Sequence, residues 1–249
     1  MNQTGVIANG LRKTFTDRKR GTVEAVKDVS FEAYHGQIYG LLGPNGAGKT
    51  TALRMLATIL TPSDGEASID GHDIIKDPDG ARRSLGFLSG DTGLYGRLTA
   101  REMITYFGRL YSMPDDRLKE RVEELKDELD MESFFEGKCA KLSTGQKQKV
   151  NIARTVIHDP PVLILDESTS GLDVLAARNI VSFIRTARDK GKCVILSTHD
   201  MGEAERLCDR VGIIHNGSLV ESGSIEELYT QFKADNLETV FLRAVGEDA

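Results

Sequence analysis

Apolar and polar residues alternate from Val29 to Tyr34, the period-two pattern of a strand with one covered face, and His35-Gly36 then supplies a turn. Ile38-Tyr39-Gly40-Leu41-Leu42 is apolar almost without a break, as in a strand covered on both faces. The spacing changes from about Lys49. Leu53, Leu56 and Leu60 fall on one helical face, and Thr61-Pro62 closes that helix. Glu66 to Asp70 and Leu85 to Leu88 predict further short strands.

From Leu98 to about Phe135 no strand pattern recurs. Leu118, Val122, Leu125 and Leu129 align on one face of a densely charged helical stretch, and a further helix begins near Ser143, running over Lys147 to about Ile157. The pattern predicts a helical subdomain inserted into an α/β layer. Beyond it strands and helices alternate: strands at Val162 to Leu165, Cys193 to Ser197 and Val211 to Ile214, helices at Val174 to Lys190 and Met201 to Cys208. Such alternation predicts right-handed crossovers and a parallel sheet. The tail after Glu226 predicts one helix to about Lys233 and then a short segment without a clear pattern. Neither an internal repeat nor a low-complexity linker interrupts the chain.

Composition narrows the class. With 249 residues, 39% hydrophobic and 28% charged, the chain suits a globular protein with a sizeable core and excludes fibrous or wholly disordered classes. Lys and Arg number 32 against 38 Asp and Glu, a net charge of −6, so no basic footprint for nucleic acid is expected. Three scattered cysteines (Cys139, Cys193, Cys208) predict small core residues in a reducing compartment rather than a disulfide framework. The N-terminal residues show no signal-peptide pattern, and the longest apolar runs fall far short of the ~20 residues that span a bilayer. A cytoplasmic chain is the expectation.

Gly43-Pro44-Asn45-Gly46-Ala47-Gly48-Lys49-Thr50, followed by Thr51, fits G-x-x-x-x-G-K-[ST] between a buried strand and a helix. Glycines let the backbone curl so that successive N–H groups face a phosphate chain, and the following helix adds its positive dipole end. Lys49 suits the β and γ phosphates, and the Thr50 hydroxyl suits Mg²⁺. Val162-Leu163-Ile164-Leu165-Asp166-Glu167 is a buried strand ending in two acids beside the crevice. There Asp166 suits the metal, and Glu167 suits deprotonation of an attacking water. ATP and Mg²⁺ are the expected cofactors.

Three further segments complete a resemblance to the ATP-binding-cassette (ABC) ATPases that covers essentially the whole chain. Leu142-Ser143-Thr144-Gly145-Gln146 is similar to the L-S-G-G-Q signature, Asp166 to Asp173 is similar to D-E-P-T-x-G-L-D, and Ser197-Thr198-His199-Asp200 resembles the switch-histidine segment. The resemblance implies a P-loop α/β fold of ABC type, with a mixed or parallel sheet core, an antiparallel β subdomain and an inserted α-helical subdomain. It implies one domain over 1–249: core and β subdomain at about 1–97 and 159–235, helical subdomain at about 98–158, and a tail at 236–249.

The resemblance also implies two cassettes head to tail, each ATP held between the P-loop of one and the signature of the other, with Ser143, Thr144, Gly145 and Gln146 facing the partner's nucleotide. His199 would sense the γ-phosphate, Asp173 would shape the dimer seam, and Phe15 would stack on adenine unless it is a core phenylalanine. His35, His72, His158 and His215 are read as structural. A separate transmembrane permease would hold the cassette at the inner face of the cell membrane.

Departures from the family pattern are specific. Thr144 replaces a glycine, Ser168 replaces a proline, and Gly90 stands where the family carries a glutamine that touches Mg²⁺ and couples to the membrane subunit. Asp91 is the nearest substitute carboxylate. Gly93-Leu94-Tyr95, Leu98 to Glu102 and Leu237 to Leu242 are similar to exporter-type cassettes, and Ser89 to Tyr95 with Thr144 look most like the ATP-binding subunit of bacterial sodium-efflux transporters. Alternative readings are a drug or lipid exporter, a soluble non-transport ABC ATPase, and a small-molecule kinase. The kinase reading leaves Leu142 to Gln146 and His199 without a purpose.

Overall fold

Side chains that alternate along the central strands serve two cores at once. The computed structural model describes residues 3–17, 21–89, 93–169, 171, 172 and 174–247, with only the backbone of residues 175 and 176. The chain begins with two long strands, β1 (Thr4–Asp17) and β2 (Gly21–Tyr34), and then β3 (Ile38–Leu42), the uninterrupted apolar run. Helix α1 (Lys49–Leu56) follows, then β4 (Asp64–Ile69), the two-residue β5 (His72–Asp73), α2 (Pro78–Arg83) and β6 (Leu85–Ser89). Helices α3 (Ala100–Leu110), α4 (Asp115–Glu128) and α5 (Thr144–Val156) come next. The alternating half comprises β7 (Val162–Asp166), α6 (Val174–Asp189), β8 (Cys193–Thr198), α7 (Met201–Leu207) and β9 (Arg210–His215). Strand β10 (Ser218–Ser224) and helices α8 (Ile225–Phe232) and α9 (Leu237–Val245) end the chain.

The sheet order is β5-β4-β1-β2-β10-β9-β3-β8-β7-β6. Strands β9, β3, β8, β7 and β6 run parallel, while β1, β2, β4 and β5 pair antiparallel. A single bridge, Ser218 to Asp28, joins β10 to β2 and ties the two parts together. On β7, Leu163 and Leu165 enter one core with Met103, Ile104 and Val150, whereas Val162 and Ile164 enter the other with Leu53, Met55 and Leu56. That two-sided burial is why the strand reads as continuous apolar sequence.

Several expectations change in extent or kind. The strand expected at Val29 to Tyr34 begins at Gly21, because its first half pairs with β1 despite exposed side chains. The helix expected to begin near Ser143 does so: its first residue is Thr144, and Ser143 and Gln146 form a reciprocal capping box. The alternating half does not remain parallel to its end: β10 returns antiparallel to β9. The segment after Lys233 contains a helix, α9, capped by Asn236 and anchored by buried Leu237 and Val240. The three cysteines are free and buried, as expected.

Candidate active site

Three parallel strands end side by side and deliver the chemistry. β3 leads into Gly43–Thr50, β7 ends at Asp166-Glu167, and β8 leads into His199; register places Leu42 opposite Thr198 and Asp166 opposite Ser197. The loop after β3 needs glycine at Gly48, whose φ is 110° and whose Cβ would lie 2.6 Å from the Ala25 carbonyl oxygen. Helix α1 then opens on Lys49 with Thr50 one residue on.

The Lys49 ammonium donates to the carbonyls of Gly43 at 2.7 Å and Pro44 at 3.1 Å. It also lies 3.8 Å from Glu167 Oε1. Burial lowers its pKa, and the charges of Glu167 and Asp166 oppose that shift. Thr50 Oγ1 donates to Asp166 Oδ1 at 3.3 Å, so hydroxyl and carboxylate oxygens from distant parts of the chain converge. Ser197 Oγ donates to the same Asp166 oxygen and accepts from the Glu167 N–H at 3.2 Å. Glu167 itself has φ of 49°, an uncommon backbone for a non-glycine residue. Its carboxylate is 3.4 Å from His199 Nδ1.

A cleft of about 150 Å³ is lined by Ala25, Asn45, Gly46, Gly48, Lys49, Thr50, Thr51 and Glu167. A cavity of about 320 Å³, lined by Thr169, Thr198, His199, Asp200 and Arg206 among others, meets Glu167 as well. Glu167 thus borders both spaces. The fit to a phosphate chain rests on the glycine-built loop, the helix start and Lys49 together. The fit to Mg²⁺ rests on the oxygen donors of Thr50 and Asp166, which suit a hard cation completed by phosphate oxygens and water. Among the described residues no cluster of three or more His, Cys, Asp or Glu would cage a metal alone.

The remaining candidates fall in separate places. Ser143 caps α5, accepting from the Gln146 N–H at 3.3 Å while Gln146 Oε1 accepts from the Ser143 N–H at 2.9 Å. Ser143 and Thr144 are exposed, with Gly145 beside them, and none of the four lines the 150 Å³ cleft. The hydroxyl of Ser143 can therefore cap a helix and still present that helix start to a second molecule. Pro44 and Ala47 shape the loop, the Ala47 N–H donating to the Pro44 carbonyl at 3.2 Å. Phe15 is 39% exposed beside Val23 of β2, which excludes the core-phenylalanine reading. Gly90, Asp91 and Asp173 lie outside the described residues.

Two contributors escaped the sequence reading. Nothing in the sequence pattern assigns Ser197 a role; its hydroxyl holds the Asp166 carboxylate and the Glu167 backbone N–H. Gln148 Nε2 donates to the Ser168 carbonyl at 2.8 Å, linking α5 to the segment after β7. No spacing rule announces that contact. The four histidines read as structural have structural partners: His35 meets Asp70, His72 meets Asp77, His158 stacks on Tyr111, and His215 packs edge-on to Phe241.

Comparison with known proteins identifies relatives of the whole chain. The family model described as "ABC transporter" matches residues 26–170. The chain is 40% identical over 231 residues to the ABC transporter ATP-binding protein NatA of Bacillus subtilis (strain 168), covering 92% of this chain and 94% of that one. It is 31% identical over 247 residues to the daunorubicin resistance ATP-binding protein DrrA3 of Streptomyces coeruleorubidus, covering 99% of this chain and 76% of that one. A solved ATP-binding subunit of an ABC transporter superposes with a TM-score of 0.87 at 28% identity, covering 97% of this chain and 99% of that one. A dimeric ATP-binding cassette in a post-hydrolysis state, bound to ADP and Pi, gives a TM-score of 0.79 at 27% identity over 88% of this chain and 98% of that one.

Proposed function

We propose an export role for this chain from one premise: it belongs to the ABC transporter family. Within that family it is an ATP-binding subunit and an ATPase. The observation that carries the catalytic reading is the meeting of Lys49, Thr50 and Glu167 at one cleft, with Asp166 hydrogen-bonded to Thr50.

In the proposed mechanism Lys49 and the N–H groups of Gly46 to Thr51 hold the β and γ phosphates. Thr50 and Asp166 would hold Mg²⁺, which would neutralise phosphate charge. Glu167 accepts a proton from the attacking water, and His199 keeps that carboxylate oriented toward the γ-phosphate. Ser143, Thr144, Gly145 and Gln146 complete the nucleotide site of a second copy. The dimeric neighbour supports that arrangement, and the exposed start of α5 is chemically suited to it. Phe15 would stack on adenine, and Asp173 would border the dimer seam.

No helix among the described residues is long and apolar enough to cross a membrane. The proposed transport role includes a separate membrane subunit that places this chain at the cytoplasmic face, as the family resemblance implies. Sodium is the proposed cargo, supported by the resemblance of Ser89 to Tyr95 and Thr144 to the sodium-efflux cassettes and by the identity to NatA. Drug export is the second reading, favoured by the similarity to DrrA3. The test is ATP-driven sodium flux in vesicles carrying the chain and its membrane subunit, with Glu167→Gln as control. Sodium movement that requires ATP and Glu167 supports the proposal; ATP-driven daunorubicin flux without sodium flux would select the second reading.

A further inference from the structure

The turn between β9 and β10 touches the phosphate loop directly. Asn216 and Gly217 have φ of 48° and 84°, the two positive values of a tight hairpin turn. The Gly217 N–H donates to the Ala47 carbonyl of the loop at 2.9 Å. The Gly217 carbonyl accepts from the Lys27 N–H of β2 at 2.7 Å and from the Asp28 N–H at 3.4 Å. One residue thus joins the phosphate loop to the strand that lines the cleft at Ala25. The strand before the turn backs the same loop, since a Cβ on Gly43 would meet the Ile214 carbonyl oxygen at 2.2 Å.

We propose that the Asn216-Gly217 turn is a positioning element of the nucleotide site, fixing the P-loop against β2 and so setting ATP affinity. The inference rests on Gly43 to Thr50 being the phosphate-binding loop. Gly217 does not itself line the cleft; it acts through Ala47. A displaced loop would misalign several N–H groups toward the phosphates together. Ground state and transition state share those contacts, so the loss falls on KM rather than kcat.

The fold contains a matched control. Asp70-Gly71, between β4 and β5, has φ of 49° and 83°, nearly the same turn, and a Cβ on Gly71 would meet nothing within 4 Å. A Cβ on Gly217 would lie 3.2 Å from the Ala25 carbonyl oxygen and 3.3 Å from Lys27 Cγ, pushing the turn off β2. Gly217→Ala and Gly71→Ala therefore carry similar backbone strain, but only the first disturbs the loop.

Titration calorimetry with ATP on the full chain, together with steady-state ATPase kinetics, separates the two effects. Both variants should lower the thermal midpoint. Only Gly217→Ala should raise the ATP dissociation constant, by about three- to tenfold for one weakened backbone hydrogen bond. KM should follow, with kcat held within about twofold. Equal affinity changes in both variants, or unchanged affinity in Gly217→Ala, would overturn the proposal. Wild-type protein that binds no ATP would instead refute the phosphate-loop reading on which it stands. Should Gly217→Ala fail to fold, hydrogen exchange on the wild type decides: ATP should slow exchange across 212–219 and leave 66–74 unchanged. Absence of slowing at 212–219 overturns the proposal.

Discussion

Lys49 Nζ stands 3.8 Å from Glu167 Oε1, although one residue opens α1 and the other follows β7. The proposed phosphate cation and the proposed base therefore border one cleft, with opposite charges that hold each other in place. Separate variants should expose separate roles.

Lys49→Ala removes the buried cation from the phosphate site. Hydrogen bonds to charged groups are worth about 1.5–3 kcal/mol, so ATP affinity should fall by about 10- to 100-fold. Titration calorimetry measures it directly. Unchanged affinity would remove Lys49 from the site.

Ser197→Ala deletes the hydroxyl that donates to Asp166 and accepts from the Glu167 N–H. Ser197 is fully buried, and leaving Asp166 without that donor should cost about 1–3 kcal/mol. If the hydroxyl orients the metal-holding carboxylate, the ATPase response to Mg²⁺ should shift to higher concentration. An unshifted Mg²⁺ curve would make Ser197 a packing residue only.

Ser143→Asp tests whether the start of α5 serves more than its own helix. Aspartate is as good an N-cap as serine, so stability should change by less than about 0.5 kcal/mol. A negative charge facing a partner's γ-phosphate is repulsive by several kcal/mol. ATPase activity should therefore fall at least about tenfold while the urea midpoint stays put. Normal activity would leave Ser143 as a cap alone.

His158 gives a pH prediction outside the site. Burial lowers its pKa to about 4, and its ring stacks on Tyr111 with centroids 3.6 Å apart. The unfolded chain binds this proton more readily than the folded one, so stability falls as pH drops through 6.5 toward 4. Between pH 7.5 and pH 5 that amounts to about 2 kcal/mol. His158→Phe keeps the stack and removes the proton site, so it should lose about 2 kcal/mol less than wild type across that range. Urea denaturation at the two pH values checks this; equal losses would assign the acid sensitivity to carboxylates.

What the sequence made legible divides along physical lines. Strands β3 and β7 announce themselves because both faces are covered, so polar residues are excluded from Ile38–Leu42 and Val162–Leu165. Lys49, Thr50, Asp166 and Glu167 were legible because local backbone shape demands their spacing. The length of β1 and β2 was hidden because their far ends are exposed and their register shifts repeatedly. Helix α9 was hidden because Leu237 and Val240 are its only buried residues, too few to set a helical period. The contribution of Gly217 was hidden for a different reason: its contacts come from backbone groups, which every residue type shares.

In the proposed mechanism Glu167 is the base, while Lys49 and the loop from Gly43 to Thr50 bind the nucleotide. The most direct measurement is single-turnover ATP hydrolysis by Glu167→Gln beside its ATP affinity. Near wild-type affinity with hydrolysis slowed by about 10²–10⁴-fold is expected; turnover close to wild type, or binding lost together with hydrolysis, would contradict the role of Glu167 as base.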